Sequence, residues 1–421
     1  MRKISFYTLG CKVNQYETQA LKEIFQNNGY EVVGENEFAH VYVVNSCSVT
    51  GISDRKTRQF IRRTKKLNPS AVTLVTGCYA ETGTESVSKI DEVDIILGTA
   101  EKSKVYEEVN RFIAENNKII RTGGVKTLKS YDDFAVVSGM DSRTRAYIKI
   151  EDGCDRYCSY CIIPFARGKV RSRSKTGILN EAETLIKKGY KEIILTGINA
   201  ALYGTDLQKG NDLISLLKSI SSLEGDFRIR LSSLEPTVIN AKYAKKIIEI
   251  DKLCPHLHLS LQSGSNNILS AMKRRYTKDE YLDILRVLKD KDPDYSITTD
   301  IIVGFPGESE SDFCDSISMV KKAGFSKVHV FKYSKRNGTS ASDMPNQIPE
   351  KIKSERSKKL MEISHKISLD FLEQNRGKIK QVLVQEYDEN KKLYTGISDN
   401  NIEVHIKNDE DILNTFVDYE L

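Results

Sequence analysis

The chain has 421 residues, of which 39% are hydrophobic and 29% charged, with 25 Gly and 8 Pro. That balance excludes a disordered or collagen-like chain, and at roughly 100 to 200 residues per domain the length predicts about three domains. No apolar run reaches the roughly 18 residues of a membrane-spanning helix and the opening MRKISFYTLG lacks the apolar core of a signal peptide, so a cytoplasmic protein with no membrane partner is expected. The net charge of +6 is uneven: +2 over residues 1–125, −4 over 376–421 and +8 between them. In a reducing compartment the eight Cys read as metal ligands or buried small side chains rather than disulfides.

In chain order, 4–9, 41–45, 71–76 and 93–97 read as short buried strands, with helical stretches such as 16–28, closed by Gly29, between them. Strands alternating with helices predict an α/β domain, a doubly wound parallel sheet over 1–122. The stretch 121–142, with its GlyGly pair and SYDDF, reads as a linker or crossing strand. A second series follows at 145–150, 192–196, 227–232, 256–261, 296–303 and 328–333, six strand-helix units that predict a parallel barrel, complete or partial. From Pro349 a helix places Leu360, Ile363, Ile367 and Phe371 on one face and stops before Gly377. Alternation at Val382, Val384 and again at Ile402, Val404, Ile406 predicts a small antiparallel barrel over 376–421.

Cys154-DRY-Cys158-SY-Cys161 puts three thiols within eight residues, directly after the first strand of the barrel series. Thiolates hold iron-sulfur clusters through four iron sites, so three ligands leave one iron open, as reactive metal sites require. A zinc knuckle completed by a distant fourth ligand is the competing reading. Cys11, Cys47 and Cys78 lie 36 and 31 residues apart, too far for a local motif. Each nevertheless follows a predicted strand, and the carboxyl ends of parallel strands share one crevice, so the three should converge. Three independently buried thiols are the alternative. Helices starting just after these turns would aim their N-termini at the sulfurs and lower the thiol pKa. Cys254 and Cys314 lack such company and read as structural, and His256 and His258, alternating on a strand, as core or hydrogen-bonded side chains.

The Cys-x3-Cys-x2-Cys spacing at the first strand of a βα barrel resembles the radical S-adenosylmethionine (SAM) superfamily, and the three upstream Cys resemble its methylthiotransferase branch. The resemblance covers nearly the whole chain, through LGCKVNQYET, VVNSCSVT, TGCYAE, EDGCDRYCSYCIIPFARG, LTGINAALYG, RLSSLEP, HLSLQSGSNNILSAMKRRYT, TTDIIVGFPGE and FKYSKRNGTSASDMP. Around Cys11, CKVN is most similar to the tRNA threonylcarbamoyladenosine methylthiotransferases. The resemblance implies a partial (βα)6 TIM-like radical SAM barrel over 140–375 and a short TRAM-like domain over 376–421. It also implies two 4Fe-4S clusters, one at Cys154, Cys158 and Cys161 that binds SAM and an auxiliary one at Cys11, Cys47 and Cys78. The activity implied is methylthiolation of C2 of N6-threonylcarbamoyladenosine at position 37 of tRNA. One SAM would methylate a cluster-bound sulfur by polar transfer, and a second would supply the radical that activates the C–H bond. A low-potential electron donor such as flavodoxin or ferredoxin is implied as partner. Isopentenyladenosine in tRNA and a ribosomal-protein aspartate are alternative substrates within the branch, and a non-catalytic, metal-stabilised RNA-binding protein is the alternative outside it.

SAM-contacting candidates fall in loops after barrel strands: Thr196, Gly197 and Asn199; Ser233 and Glu235; Gln262; Gly304 and Pro306. A turn glycine or a helix cap is the plainer reading of each. For the tRNA anticodon stem-loop the candidates are Arg55, Arg58, Arg62 and Arg63 within DRKTRQFIRRTKK, then Arg167, Arg171 and Arg173 after the Cys triplet, and residues 273–275. Tyr157 or Tyr160 could stack on a splayed base. The −4 charge of the last segment points away from RNA binding there. A threonylcarbamoyl carboxylate should need a donor-rich pocket and isopentenyl an apolar one; Lys12, beside Cys11, fits the former.

Overall fold

The computed structural model describes residues 1–133, 139–140 and 144–421. The expected linker or crossing strand at 121–142 lies partly outside the described residues. The chain divides into two compact units: the first comprises, among the described residues, 1–133, 139–140, Lys149–Tyr157 and Cys161–Gly177, and the second 144–148, Cys158–Tyr160 and Ile178–Leu421.

In the first unit, runs of β-branched and aromatic residues form β1 (Arg2–Thr8), β2 (Tyr30–Val33), β3 (Val41–Ser46), β4 (Val72–Gly77), β5 (Ile95–Leu97) and β6 (Ile119–Arg121). They pair in parallel in the order β2-β1-β3-β4-β5-β6. Every residue of β3 and β4 is buried, as a sheet covered on both faces requires. Alternation along each strand separates two apolar layers. Val43, Leu74 and Ile95 pack with Leu21, Phe25 and Val105, while Val44, Val75 and Ile96 pack with Phe60, Ile61 and Tyr79. This is the doubly wound sheet that the sequence predicts. The two additional strands, β2 and β6, are short, partly exposed edges, which explains why periodicity does not reveal them. Helix α1 (Lys12–Asn27) starts four residues earlier than expected, and α2 (Gly51–Leu67) is capped by Thr50, whose hydroxyl accepts from the Ser53 N–H at 3.3 Å. A third, short helix α3 (Cys78–Thr82) follows β4 directly.

The second series of strands begins with β7 (Arg145–Lys149). The short antiparallel pair β8 (Glu151–Asp152) and β9 (Arg171–Ser172) brackets the segment that carries the Cys triplet. The series continues with β10 (Glu192–Thr196), β11 (Arg228–Leu231), β12 (Ser233–Leu234), β13 (His256–Leu259), β14 (Ser296–Val303) and β15 (Lys327–Lys332). β11 and β12 are separated only by Ser232, so they occupy one strand position, and among the described residues the positions number six, as expected for a partial (βα)6 barrel. The helix Glu350–Asn375 buries Leu360 and Phe371 and half-buries Ile363 and Ile367, the predicted face. The last strands, β16 (Ile379–Asp388), β17 (Leu393–Ser398), β18 (Glu403–Ile406) and β19 (Phe416–Glu420), are antiparallel in the order β18-β17-β16-β19.

A buried ion triad fastens this last sheet to the barrel strands. Glu192 accepts from Arg228 Nε at 2.7 Å and Arg230 Nη2 at 2.9 Å. The same guanidinium groups donate to the carbonyls of Gln381, Ile397, Ser398 and Asp399. Burial opposes ionisation of Glu192, but Arg230 and Arg228 overcome it and hold the carboxyl well below the usual carboxylate range. Its stabilisation is therefore fully present above about pH 4.3, the value for an unperturbed Glu, and is lost as pH falls through the depressed folded-state value. Glu192→Ala, which leaves two buried arginines uncompensated, should cost about 3–5 kcal/mol in a denaturation experiment. Between pH 5 and pH 3 the wild-type melting temperature should fall more steeply than that of Glu192→Gln; parallel curves would show that the carboxylate is not ionised in the fold.

Candidate active site

Cys11, Cys47 and Cys78 follow β1, β3 and β4, which are adjacent in the sheet. The register Thr8↔Asn45↔Thr76 brings the three turns out side by side. Asn14 ties two of them together by donating to the Leu9 carbonyl at 2.7 Å and the Ser46 carbonyl at 3.1 Å. Ser46 joins the third through a 2.5 Å bond from its hydroxyl to the Thr76 carbonyl. Two glycines allow the approach. A Cβ on Gly10, at φ +112°, would stand 3.1 Å from the Cys47 sulfur, and one on Gly77, at φ +93°, would overlap the Ser46 carbonyl. All three thiols are free, Cys47 and Cys78 buried and Cys11 exposed. Burial pushes the Cys47 thiol up to about 12, with the neighbouring Cys78 adding to it. At Cys47 this runs against the expectation of a lowered thiol pKa, because desolvation by burial is the largest influence there. Among the described residues no three His, Cys, Asp or Glu side chains close on one point tightly enough for a single metal ion. Three soft thiols at the rims of adjacent strands suit a multi-iron group, whose ligands are spread over separate irons.

Behind the trio lies a buried charge network in the same unit. Glu17, on the same face of α1 as the buried Val13, Tyr16 and Ala20, accepts from Arg167 Nη1 at 2.8 Å, from Lys149 at 2.7 Å and from Lys102. Asp152 accepts from Lys149 at 2.7 Å and Arg167 at 3.0 Å. Burial opposes ionisation of Glu17, but Arg167, Lys102 and Lys149 hold its carboxyl well below the usual range. Arg167 also donates from Nε to the Cys78 sulfur at 3.3 Å. Sequence reading missed Glu17; the available signal was a charge placed on an apolar helix face.

Among the described residues, none of the Cys triplet is in a disulfide, and each is half-buried. The Cys154 N–H donates to the Gly168 carbonyl at 3.0 Å, and the Cys158 sulfur accepts from Arg274 Nη1 at 3.3 Å. Arg274 is a buried hub: it also lies 4.0 Å from Glu235, donates to the Ser260 carbonyl at 3.3 Å and stacks over Tyr276. Glu235 accepts from Thr237 at 2.6 Å and Asn199 at 3.5 Å, and Ser233 meets Ser260 at 3.0 Å. The structure thus brings Asn199, Ser233 and Glu235 together around Arg274. Thr196 is buried at the end of β10 with Gly197 next to it, and Gln262 sits at φ 68° with its N–H on the Asp300 carbonyl. Gly304 and Pro306 are held separately: the Gly304 N–H donates to Glu308, which accepts from Arg356 at 2.6 Å.

The strands β13, β14 and β15 carry two distinct faces. Leu257, Leu259, Ile297, Ile301 and Val303 are fully buried on one. On the other, His258 meets Thr298 at 2.9 Å and Asp300 at 3.1 Å, His329 lies across from Asp300 in register, and Ser260 reaches Asp300 at 3.4 Å. His256 also meets Thr298, at 3.2 Å, so both histidines are hydrogen-bonded as expected. Burial pushes His329 below the usual imidazole range.

The RNA candidates separate into two groups. Arg55, Arg62 and Arg63 are exposed on α2 with Lys56 and Lys66, while Arg58 is half-buried and donates to the Tyr79 hydroxyl at 2.7 Å. Arg167, Arg171 and Arg173 are corrected: all three are buried, committed respectively to Glu17 and Cys78, to the carbonyls of Arg167 and Lys169, and to Asp133. A phosphate backbone cannot reach them. Arg274, expected with its neighbours to face RNA, turns instead to Cys158, whereas Lys273 and Arg275 are exposed. Tyr157 is exposed against Phe165, and Tyr160 packs with Met272, Phe305 and Tyr333, leaving Tyr157 as the stacking candidate. Cys254 is buried, and its thiol is raised to about 11 by that burial; Cys314 is exposed and so is no core residue.

Two family models match this chain: the Radical SAM superfamily over 148–320, and Uncharacterized protein family UPF0004 over 3–98. A Bacillus subtilis protein described as threonylcarbamoyladenosine tRNA methylthiotransferase MtaB is 38% identical over 99% of this chain and 93% of its own length. Its namesake in Aquifex aeolicus is 40% identical over 91% of this chain and 93% of its own length. A Thermoanaerobacter pseudethanolicus protein described as tRNA-2-methylthio-N(6)-dimethylallyladenosine synthase is 36% identical over 96% of this chain and 87% of its own. The solved structure of the radical SAM methyltransferase TsrM from Kitasatospora setae superposes with a TM-score of 0.59 at 13% identity, over 81% of this chain and 77% of that one, a likeness of fold. Among the described residues no helix is long and apolar enough to cross a membrane.

The glycine next to Cys78 offers a direct test of the packing. Gly77→Ala and Gly29→Ala both place an alanine at positive φ, which costs about 1–2 kcal/mol, but only the first also meets a neighbour, since nothing lies within 4 Å of a Cβ at Gly29. Gly77→Ala should therefore lose a further 1–3 kcal/mol, roughly the cost of overpacking, in thermal unfolding. Equal losses would show that the turn before Cys78 is loosely packed.

Proposed function

Because the chain belongs to the radical SAM tRNA methylthiotransferases, we propose that it places a methylthio group on C2 of N6-threonylcarbamoyladenosine at position 37 of tRNA. The observation that carries the choice of substrate is the polar face of β13, β14 and β15. His258, Thr298, Asp300 and His329 form a polar face whose donors and acceptors suit the hydroxyl, urea and carboxylate of a threonylcarbamoyl group, whereas an isopentenyl group would cover that face without a hydrogen bond to offer it. The two relatives named for the threonylcarbamoyl substrate, at 38% and 40% identity, support the same choice.

Cys154, Cys158 and Cys161 would hold the 4Fe-4S cluster of the superfamily, and Cys11, Cys47 and Cys78 a second one. When bound, the first would supply the electron for reductive cleavage of SAM, and the second would offer a site for the sulfur to be transferred. The protein's own task is to bind, orient and exclude water. Asn199, Ser233 and Glu235 gather around Arg274 and would orient the polar end of SAM, with Thr196, Gly197, Gln262, Gly304 and Pro306 shaping the remaining loops. Electrons would come from a low-potential donor such as flavodoxin or ferredoxin. We divide the work along the chain into an auxiliary-cluster domain over 1–122, a radical SAM barrel with its connecting helix over 140–375, and a TRAM-like domain over 376–421. The exposed cations of α2 would meet the phosphates of the anticodon stem-loop, and Tyr157 would stack on a base.

Mass spectrometry of tRNA nucleosides from a deletion strain should show loss of 2-methylthio-N6-threonylcarbamoyladenosine, with N6-threonylcarbamoyladenosine accumulating. Loss of the methylthio-isopentenyl nucleoside instead would reassign the substrate. Replacing Arg55, Arg62 and Arg63 by Gln should weaken tRNA binding and flatten the slope of log affinity against log salt by about 2–3, at roughly 0.7–0.9 per phosphate contact. An unchanged slope would remove α2 from the RNA surface.

A further inference from the structure

A buried arginine that donates to a cysteine sulfur has no need to do so if its purpose is only to neutralise carboxylates. Arg167 is fully buried, and its donors are all directed. Nη1 reaches Glu17 at 2.8 Å and Asp152 at 3.0 Å; Nη2 reaches Glu17 at 3.1 Å and Asn14 Oδ1 at 2.6 Å; Nε reaches the Cys78 sulfur at 3.3 Å. Through Asn14 the same group is one hydrogen bond from the Leu9 and Ser46 carbonyls, in the turns that lead to Cys11 and Cys47. Glu17 already accepts from Lys102 and Lys149, and Asp152 from Lys149. Formally, four cations (Arg167, Lys102, Lys149 and Arg171) surround two carboxylates. A buried excess of positive charge is costly unless anionic partners compensate it, and the sulfurs of the trio, which would become thiolates on holding iron, could supply that compensation.

We propose that Arg167 is a positioning residue for the Cys11, Cys47 and Cys78 trio: its rigid guanidinium fork fixes the Cys78 sulfur and the turns carrying the other two thiols, and raises the reduction potential of the iron-sulfur group they hold. This rests on the auxiliary-cluster reading above. The direction follows from electrostatics. An N–H donor and a positive charge beside a ligand sulfur stabilise the more negative, reduced state, and hydrogen bonds to cluster sulfurs are among the known determinants of potential. Lysine cannot replace the fork, since its ammonium is a point charge that cannot hold Asn14, Glu17 and the sulfur in one plane. Arg167 lies six residues after Cys161, at the end of the short helix Ile163–Arg167, so the strand of chain that carries the SAM-cluster ligands also delivers this contact.

The test uses the full-length chain with Cys154, Cys158 and Cys161 replaced by Ala, so that only the trio can carry iron. Iron is counted after anaerobic reconstitution, and the midpoint potential is read by electron paramagnetic resonance during dithionite titration. Arg167→Lys, Arg167→Met and, as a control that strips a cation from the same carboxylates without touching sulfur, Lys149→Met are compared with this parent. Both Arg167 variants should shift to lower potential, Arg167→Met further because it loses the charge as well as the N–H, while Lys149→Met should lose thermal stability with a much smaller shift. Potentials equal to the parent in both Arg167 variants, or a shift in Lys149→Met as large as that in Arg167→Lys, would overturn the proposal. Should the parent bind no iron, the auxiliary-cluster reading fails and this inference fails with it; a parent that holds iron while the potentials stay fixed refutes the inference alone. If Arg167→Met does not fold, Arg167→Lys, which keeps the charge beside Glu17, decides.

Discussion

Parallel pairing of β1, β3 and β4 is the constraint on which the candidate site depends. Neighbouring strands lie about 4.8 Å apart, and their shared register, Thr8↔Asn45↔Thr76, delivers three turns to one sheet edge regardless of the 36 and 31 residues that separate the thiols in sequence. The turns are short, so the cysteines stay at the rim instead of reaching over it. Gly10 and Gly77 remove the side chains that would hold the turns apart, and Asn14 and Ser46 satisfy the carbonyls exposed where the ladder ends. The sheet, rather than any local motif, is what gathers the three thiols.

Burying charge behind this rim is expensive, since a hydrophobic replacement for a buried ion network is often neutral or stabilising. The chain nevertheless buries Glu17, Asp152, Lys102, Lys149 and Arg167 together. A purely structural demand would be met by apolar packing, as it is in the two layers on either side of the sheet. The pattern repeats at the other thiol segment, where Arg274, with the low exposure of a core residue, donates to Cys158 at the same 3.3 Å that separates Arg167 from Cys78. Buried guanidinium groups aimed at sulfur are the common electrostatic feature of both thiol segments.

Much of the fold was legible because its signals are collective. Short, β-branched apolar stretches at β3 and β4 fit doubly covered strands, and three cysteines in the same position relative to three strands constrain one another. Single charged residues were not legible in the same way. Arg167, Arg171 and Arg173 form a basic run that looks solvated, because nothing in the sequence shows that β9 pairs with β8 and folds the run inward against Asp152. Arg274 misled for the same reason: its partners Glu235, Ser260 and Cys158 come from distant points of the chain. Arg55, Arg62 and Arg63 lie on the exposed face of α2, where a helical period alone decides burial, and Arg58 departs from that face to donate to Tyr79 at the start of another helix.

Charges of the last sheet are tied into the barrel beside it. Two of its few cations, Lys378 and Lys380, are committed to Asp294 at 2.6 and 3.1 Å, and Asn400 donates to the Asp294 carbonyl. Its turn carbonyls are in turn the acceptors that complete Arg228 and Arg230. Removing residues 376–421 would strip acceptors from two buried guanidinium groups and expose the barrel strands beneath, so a truncation would report on folding before it reported on binding. The sheet works as a lid on charged barrel strands, and substitutions on the exposed face of α2, which leave every buried ion pair intact, isolate the contribution of charge to RNA affinity.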